Sequence, residues 1–193
     1  MTDSINTGDI KDSKGVAIGD NAQVHIHEKH IHPPTPIVEK PTFPIHHIAH
    51  PQNPNFTGRN AILQQVANTL NAGQTTVVTQ TIAGLGGVGK TQLALAYSYA
   101  HLNSYDLIYW LSADSEAGLG EEMVVLARRL KLVASTVTDQ QAAIQAVLHW
   151  LGQPSQRWLL VYDNADQIAP QRLAATLPRS GNGHVLITSR NPN

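Results

Sequence analysis

Several features are missing from this chain of 193 residues, and each absence removes a class of protein. There is no cysteine, which excludes a disulfide scaffold, a thiolate metal site and a cysteine nucleophile. No stretch approaches the roughly 18 apolar residues that span a bilayer, and the first 30 residues lack the apolar core of a signal peptide. The net charge of −1 favours neither nucleic acid nor an anionic membrane as partner. We therefore expect a soluble, cytoplasmic protein.

Composition divides the chain into three parts. Residues 1–55 hold seven of the eleven prolines and seven of the ten histidines, whereas all three tryptophans follow residue 55. We expect a β-prone leader over 1–32, a Pro/His-rich extended linker over 33–55 and a globular block over 56–193. The histidines offer a Zn²⁺ or Ni²⁺ site as an alternative, although a solvated polar tract explains them without a metal.

The leader has the period of a β-strand. Val16, Ile18, Val24 and Ile26 alternate with small or polar residues, and a Gly-Asp-Asn turn signal begins at Gly19. Three interpretations stay open: a hairpin, self-pairing in cross-β fashion, and a loosely tethered or disordered segment.

The globular block alternates strand and helix patterns. Apolar or β-branched runs predict strands over 75–81, 107–111, 158–162 and 184–188. Helical spacing predicts helices over 62–70, 90–101 and 123–130, and a capping box at Thr138 to Gln141 opens another. This order predicts an α/β fold, a three-layer sandwich with a parallel sheet of about four strands.

A glycine loop between the first strand and its helix matches the pattern G-x-x-x-x-G-K-[ST]. Such a loop rings a phosphate with backbone N–H groups at the positive end of a helix. Lys90 can reach the β- and γ-phosphates, and the Thr91 hydroxyl can bind Mg²⁺. The predicted nucleotide-binding residues of the loop are Gly84, Gly86, Gly87, Val88, Gly89, Lys90 and Thr91.

The same loop also fits two other interpretations. Gly84, Gly86 and Gly89 match the dinucleotide fingerprint, which has no use for the Lys-Thr pair and needs an acid at the end of the second strand. Asp106 precedes that strand and Asp114 lies too far along the chain. A structural Gly-rich turn is the other alternative, and a mononucleotide site remains favoured.

Polar residues follow the last two predicted strands. Asp163 comes directly after the strand ending at Tyr162, where it can hold the water shell of Mg²⁺. Asn164 stands where many hydrolysing relatives of this sheet type carry a glutamate base, and an amide is not a useful base. Asp166 is a weaker candidate for that base, so we expect slow hydrolysis or none. Arg190 follows the fourth strand and is a candidate γ-phosphate sensor.

These motifs together resemble the NB-ARC type of the STAND class of P-loop NTPases, over roughly residues 50–193. The segment from Pro54 to Arg59 resembles the family element that borders adenine and ribose, which implies roles for Phe56 and Arg59 in binding the base. The loop followed by Gln92 is similar to the family loop, and the strand ending at Asp163 is similar to its Walker B strand. Arg190 corresponds to the family's sensor arginine.

The resemblance implies a signalling switch that binds ADP or ATP with Mg²⁺ and engages protein partners or copies of itself. It also implies that the fourth strand lies between the first and the third, and that the chain stops short of the family's later domains. We therefore expect a truncated, fragmentary or degenerate copy. A catalytic ATPase and an interaction module acting through the leader are the alternatives.

Overall fold

The computed structural model describes residues 40–56, 59–71, 78–82, 89–136 and 138–189. All of them lie within the unit Val38–Asn193. The leader over 1–32 and most of the glycine loop are outside the described residues. None of the described helices is long and apolar enough to cross a bilayer.

The described strands form one parallel sheet. They are β1 (Ile45–His47), β2 (Val78–Ile82), β3 (Leu107–Ser112), β4 (Arg157–Asp163) and β5 (Asn182–Thr188), in the order β1-β3-β4-β5-β2. β5 lies between β4 and β2, with Leu159 opposite His184 and Val78 opposite the same residue on the other side. The α/β fold with a parallel sheet is confirmed, and so is the insertion of the fourth predicted strand between the first and third.

Five α-helices connect or follow these strands in the described part of the chain. They are α1 (Asn60–Asn71), α2 (Lys90–Ala100), α3 (Glu116–Arg129), α4 (Gln140–Leu151) and α5 (Pro170–Ala174). The four helices predicted from the sequence correspond to α1–α4, and the short α5 was not predicted.

Alternate residues of the central strands face opposite layers, as the pleat of a strand requires. Leu107, Tyr109 and Leu111 of β3 belong to the core cluster that includes residues of α3 and α4. Ile108 and Trp110 belong to the cluster that includes residues of α1 and α2. These side chains are at most 3% exposed, so both faces of the sheet are covered at β3. This is why the sequence of the strand is a continuous apolar run.

Two local expectations are wrong. The cap of α4 is Asp139, whose carboxylate accepts from Ala142 N at 3.1 Å, rather than Thr138. The helix starts one residue later than the capping box requires, because Asp is an equally good N-cap. The linker also contributes β1, which pairs in parallel with β3 from Ile45 opposite Leu107. Three residues, two of them histidines, carry too little periodicity to predict a strand.

Candidate functional site

The carboxyl ends of β4 and β5 meet the first turn of α2 at one edge of the sheet. Asp163 is the last residue of β4, and its Oδ1 accepts hydrogen bonds from Thr91 Oγ1 at 2.9 Å and from Thr188 Oγ1 at 2.5 Å. Crevices at the carboxyl ends of parallel strands are where α/β sheets bind ligands. The two residues predicted to hold Mg²⁺, Thr91 and Asp163, therefore lie in direct contact.

Gly89 sets the direction in which the chain enters α2. Its φ of 77° and ψ of 32° lie in the left-handed region, which costs a glycine little. A β-carbon built on Gly89 would lie 3.4 Å from Arg59 Nη1, so the guanidinium lies against the end of the glycine loop. Lys90 is the first residue of α2 and is half-buried. The chain thus brings Arg59 and Lys90 to the amino end of α2, where an anion is favoured.

Asn164 directly follows Asp163 and has a left-handed backbone conformation. Its φ of 64° and ψ of 44° are left-handed, a region that asparagine adopts more readily than most residues. Its backbone N–H donates to Thr188 Oγ1 at 2.9 Å, and its side-chain amide donates to Asp114 Oδ1. Thr188 therefore links Asn164 to Asp163, because its hydroxyl accepts from one and donates to the other.

Asp114 lies in the turn between β3 and α3. Its Oδ2 accepts from Ser112 Oγ at 2.7 Å, and the neighbouring Ala113 N donates to Asp163 O at 2.8 Å. These bonds fix the turn against the end of β4. Asp114 thereby lies at the same edge of the sheet as Thr91 and Asp163, although it is too far along the chain to serve as a dinucleotide acid.

A cavity of about 530 Å³ opens at this edge. Its lining includes both metal-site candidates and the Asn164 pair, together with residues from β1, β3 and α3; the full set is His47, Ala49, His50, Thr91, Trp110, Ser112, Asp114, Glu122, Asp163 and Asn164. Partial burial lowers the pKa of His47, with a smaller contribution in the same direction from Arg129. His47 also lies against Tyr109, with ring centroids 4.7 Å apart.

The remaining candidates fall in three places. Asp166 is half-buried and its Oδ1 accepts from Ser189 Oγ at 2.8 Å, and it does not line the cavity. Phe56 and Gln92 line a second cavity of about 180 Å³ between α1 and α2, where Asn53 Nδ2 donates to Gln92 Oε1 at 3.1 Å. The candidates outside the described residues are Gly84, Gly86, Gly87, Val88 and Arg190.

The structure also brings in residues that the sequence did not single out as part of the site. In the sequence, Thr188 was recognised only as the end of an apolar strand. Asp114 was considered only as the acid of a dinucleotide site, and it lies too far along the chain for that role. A polar residue at the end of a buried parallel strand was the signal available for Thr188. No group of three or more His, Cys, Asp or Glu side chains suited to a metal occurs within the described ranges.

Comparison with known proteins identifies the family. A model described as the NB-ARC domain matches residues 59–193. A nucleotide-binding leucine-rich repeat (NLR)-like protein of Hyaloscypha variabilis is 29% identical over 160 residues, which cover 72% of this chain and 16% of that protein. The Regulatory protein AfsR of Streptomyces griseus is 28% identical over 147 residues, 71% of this chain and 14% of its own length. This chain spans less than a fifth of either relative.

A solved structure supports the fold. Cdc6p from Pyrobaculum aerophilum superposes with a TM-score of 0.50 at 15% identity, covering 74% of this chain and 41% of that one. At this identity the likeness concerns the P-loop fold alone. The family match spans well over half of the residues, and the motifs at Lys90, Thr91 and Asp163 fall within it. The chain therefore belongs to the NB-ARC family of nucleotide-binding P-loop switch domains.

Proposed function

We propose that this chain is an ADP/ATP-binding signalling switch that hydrolyses ATP slowly or not at all. The observation that carries the proposal is the contact among Thr91, Asp163 and Thr188 at the amino end of α2. It joins the last residue of the glycine motif to the carboxylate of the residue that ends β4. A nucleotide with its metal needs both groups on the same side of the sheet.

The chemistry of these side chains fits Mg²⁺. This ion prefers hard oxygen ligands, keeps several waters and takes one or two carboxylates from the protein. In the proposed site Thr91 would hold the ion through its hydroxyl, and Asp163 would hold the ion's water shell. The ion would supply positive charge that neutralises the phosphates. The half-buried Asp163 is already oriented by two hydroxyl donors before any ion arrives.

The phosphates occupy the glycine loop in this proposal. Backbone N–H groups of residues 84–89 surround them, the Lys90 ammonium contacts the β- and γ-phosphates, and Arg190 contacts the γ-phosphate. Support comes from the left-handed Gly89, which precedes the first residue of α2, and from the proximity of Arg59 to Gly89. The α2 dipole adds a favourable field for an anion.

The nucleoside lies toward α1 in this proposal. Arg59 and Phe56 border the base, and Gln92 follows the phosphate-binding residues on the first turn of α2. The cavity beside Phe56 and Gln92, about 180 Å³ in volume, is lined by Leu63 and Leu95 and also by the polar side chains of Gln52 and Asn53. Small-molecule sites combine apolar side chains with polar groups that fix the orientation of the ligand.

Slow turnover follows from the residue after Asp163. Asn164 is a poor proton acceptor, and Asp166 is turned toward Ser189 rather than into the large cavity. A site that holds ATP without cleaving it quickly suits a switch, because the γ-phosphate must persist long enough to shift a conformational population. Protein partners or further copies of the chain, in the cytoplasm, would read that shift.

Bound nucleotide tests the proposal directly. Purified wild-type protein should carry ADP, detected by denaturing extraction and chromatography, and Lys90→Ala should remove it. Lys40→Ala is the matched control, because Lys40 is an exposed lysine before β1. A folded wild type that is empty and fails to bind added ADP with Mg²⁺ by calorimetry would refute the proposal.

A further inference from the structure

Asn164 stands at the position expected for a carboxylate base, and the structure brings the carboxylate of Asp114 next to its side chain. Asp114 is exposed, lines the 530 Å³ cavity together with Thr91 and Asp163, and is bonded to the side chain of Asn164. Each carboxylate oxygen of Asp114 accepts one hydrogen bond: Oδ1 accepts from the Asn164 amide, and Oδ2 accepts from Ser112 Oγ at 2.7 Å. A carboxylate has about four acceptor positions, so Asp114 retains capacity for a water molecule.

Asn164 holds Asp114 from a left-handed backbone, a region that asparagine adopts more readily than most residues because its side chain can hydrogen-bond locally. The contacts that hold this conformation are the bond from Asn164 N to Thr188 and the bond from its amide to Asp114. The αL turn at Asn164 thus aims an amide at a carboxylate beside the metal-binding pair.

Resting on the proposed function, we infer that Asp114 is the general base of the slow ATP hydrolysis and that Asn164 is its positioning residue. Asp114 takes a proton from water as the water oxygen forms a bond to the γ-phosphorus. The bond from that phosphorus to the β,γ-bridging oxygen breaks, and ADP leaves with the electron pair. The products are ADP and inorganic phosphate, and Asp114 returns its proton to solvent. No oxidant or other reactant is needed.

The other acids near the cavity serve this role less well. Asp163 is committed to two hydroxyl donors and, in the proposed site, to the metal shell. Asp166 accepts from Ser189 and lies outside the cavity lining. Glu122 lines the cavity from α3, and no described hydrogen bond joins it to Asn164. Among the described acids, only Asp114 both lines the cavity and accepts a hydrogen bond from the Asn164 side chain.

The variant Asp114→Asn distinguishes a role of Asp114 as a base from a role in holding the turn between β3 and α3. An asparagine at 114 can still accept from the Asn164 amide through its Oδ1 and can donate from its Nδ2 to Ser112 Oγ, so the turn is kept while the base is removed. Phosphate release from the full chain with Mg²⁺ and ATP should fall about 100-fold or to the level of Lys90→Ala, since a general base contributes roughly 10²–10⁴. Affinity for a non-hydrolysable ATP analogue and the melting temperature should not change.

Two further variants make the result specific. Glu121→Gln removes one negative charge from an exposed position on α3 that does not line the cavity, and it should leave phosphate release within about threefold of wild type. The exchange Asp114→Asn with Asn164→Asp restores the amide–carboxylate pair in reverse, and aspartate also tolerates the left-handed region. Phosphate release should rise at least about tenfold above that of the single variant.

The possible outcomes are distinct. Unchanged phosphate release in Asp114→Asn, or loss in Asp166→Asn instead, would overturn the assignment of the base while the nucleotide switch stands. A wild type that binds the ATP analogue but releases no phosphate above the Lys90→Ala background would overturn it as well. Failure of the wild type to bind any nucleotide would instead refute the proposed function on which the inference rests.

Discussion

Thr188 holds the end of β4 together, and replacing it with valine should destabilise the protein before any ligand is added. Its side chain is 2% exposed, donates to Asp163 Oδ1 at 2.5 Å and accepts from Asn164 N at 2.9 Å. Valine has nearly the same shape and suits a strand equally well. The substitution therefore removes the hydroxyl with little change in packing.

Two losses set the magnitude. A hydrogen bond to a charged acceptor contributes about 1.5–3 kcal/mol, and the bond from the exposed residue Asn164 contributes about 0.5–1.5 kcal/mol, because water can replace part of it. Asp163 keeps Thr91 and is half-buried, so water compensates part of the first loss. We expect the free energy of unfolding to fall by about 2–4 kcal/mol, a large share of a typical ~5–15 kcal/mol.

Urea unfolding of the nucleotide-free chain measures this change. Thr188→Ser is the control, because it keeps the hydroxyl and loses one methyl group at about 1 kcal/mol. Thr188→Val should be clearly less stable than Thr188→Ser, with equal m-values. The reasoning is wrong if valine at 188 is within about 0.5 kcal/mol of wild type.

Two further predictions concern the frame that carries the site. Gly183→Ala would place a β-carbon 2.1 Å from Cδ2 of the fully buried Trp158, so the melting temperature should drop by the equivalent of about 2–3 kcal/mol in a calorimetric scan; an unchanged value would contradict the packing. Burial, with a smaller contribution from Arg157, lowers the pKa of His184 to about 4 from 6.5. As the pH drops, His184 is therefore protonated in the unfolded chain before it is protonated in the folded one. The free energy of unfolding should fall between about pH 6.5 and about pH 4. Melting curves across that range should show a shallower decline in His184→Gln, and equal declines would contradict the assignment.

The sequence predicts the fold well because burial on both faces leaves an unambiguous pattern. Continuous apolar runs such as Trp158–Tyr162 arise when each alternate side chain enters a core layer, here the two clusters on either side of β4. The expected strand around 107–111 matches β3 to within one residue. The short β1 had no such pattern, because its three residues are held mainly by backbone hydrogen bonds.

The candidate site was predictable only in part. Thr91 and Asp163 follow from a spaced motif and from a strand end, and the structure brings them into contact. The bond between Asp114 and Asn164 links residues 50 positions apart, and it depends on the left-handed turn at Asn164. A local pattern carries no information on such a pairing. The roles of the glycine loop and of Arg190 remain predictions.

The edge strand β1 forms part of the wall of the 530 Å³ cavity. β1 stands at the end of the strand order, and short, terminal elements open at the lowest free energy in a fold. His47 closes β1, and His50 follows it with its ring edge-on to Trp110 at 6.2 Å. Separation of these residues from β3 would widen the cavity beside Asp114 and Glu122, while the other four strands stay paired. Displacement of β1 would therefore change the access of solvent to the cavity that Asp114 and Asp163 line.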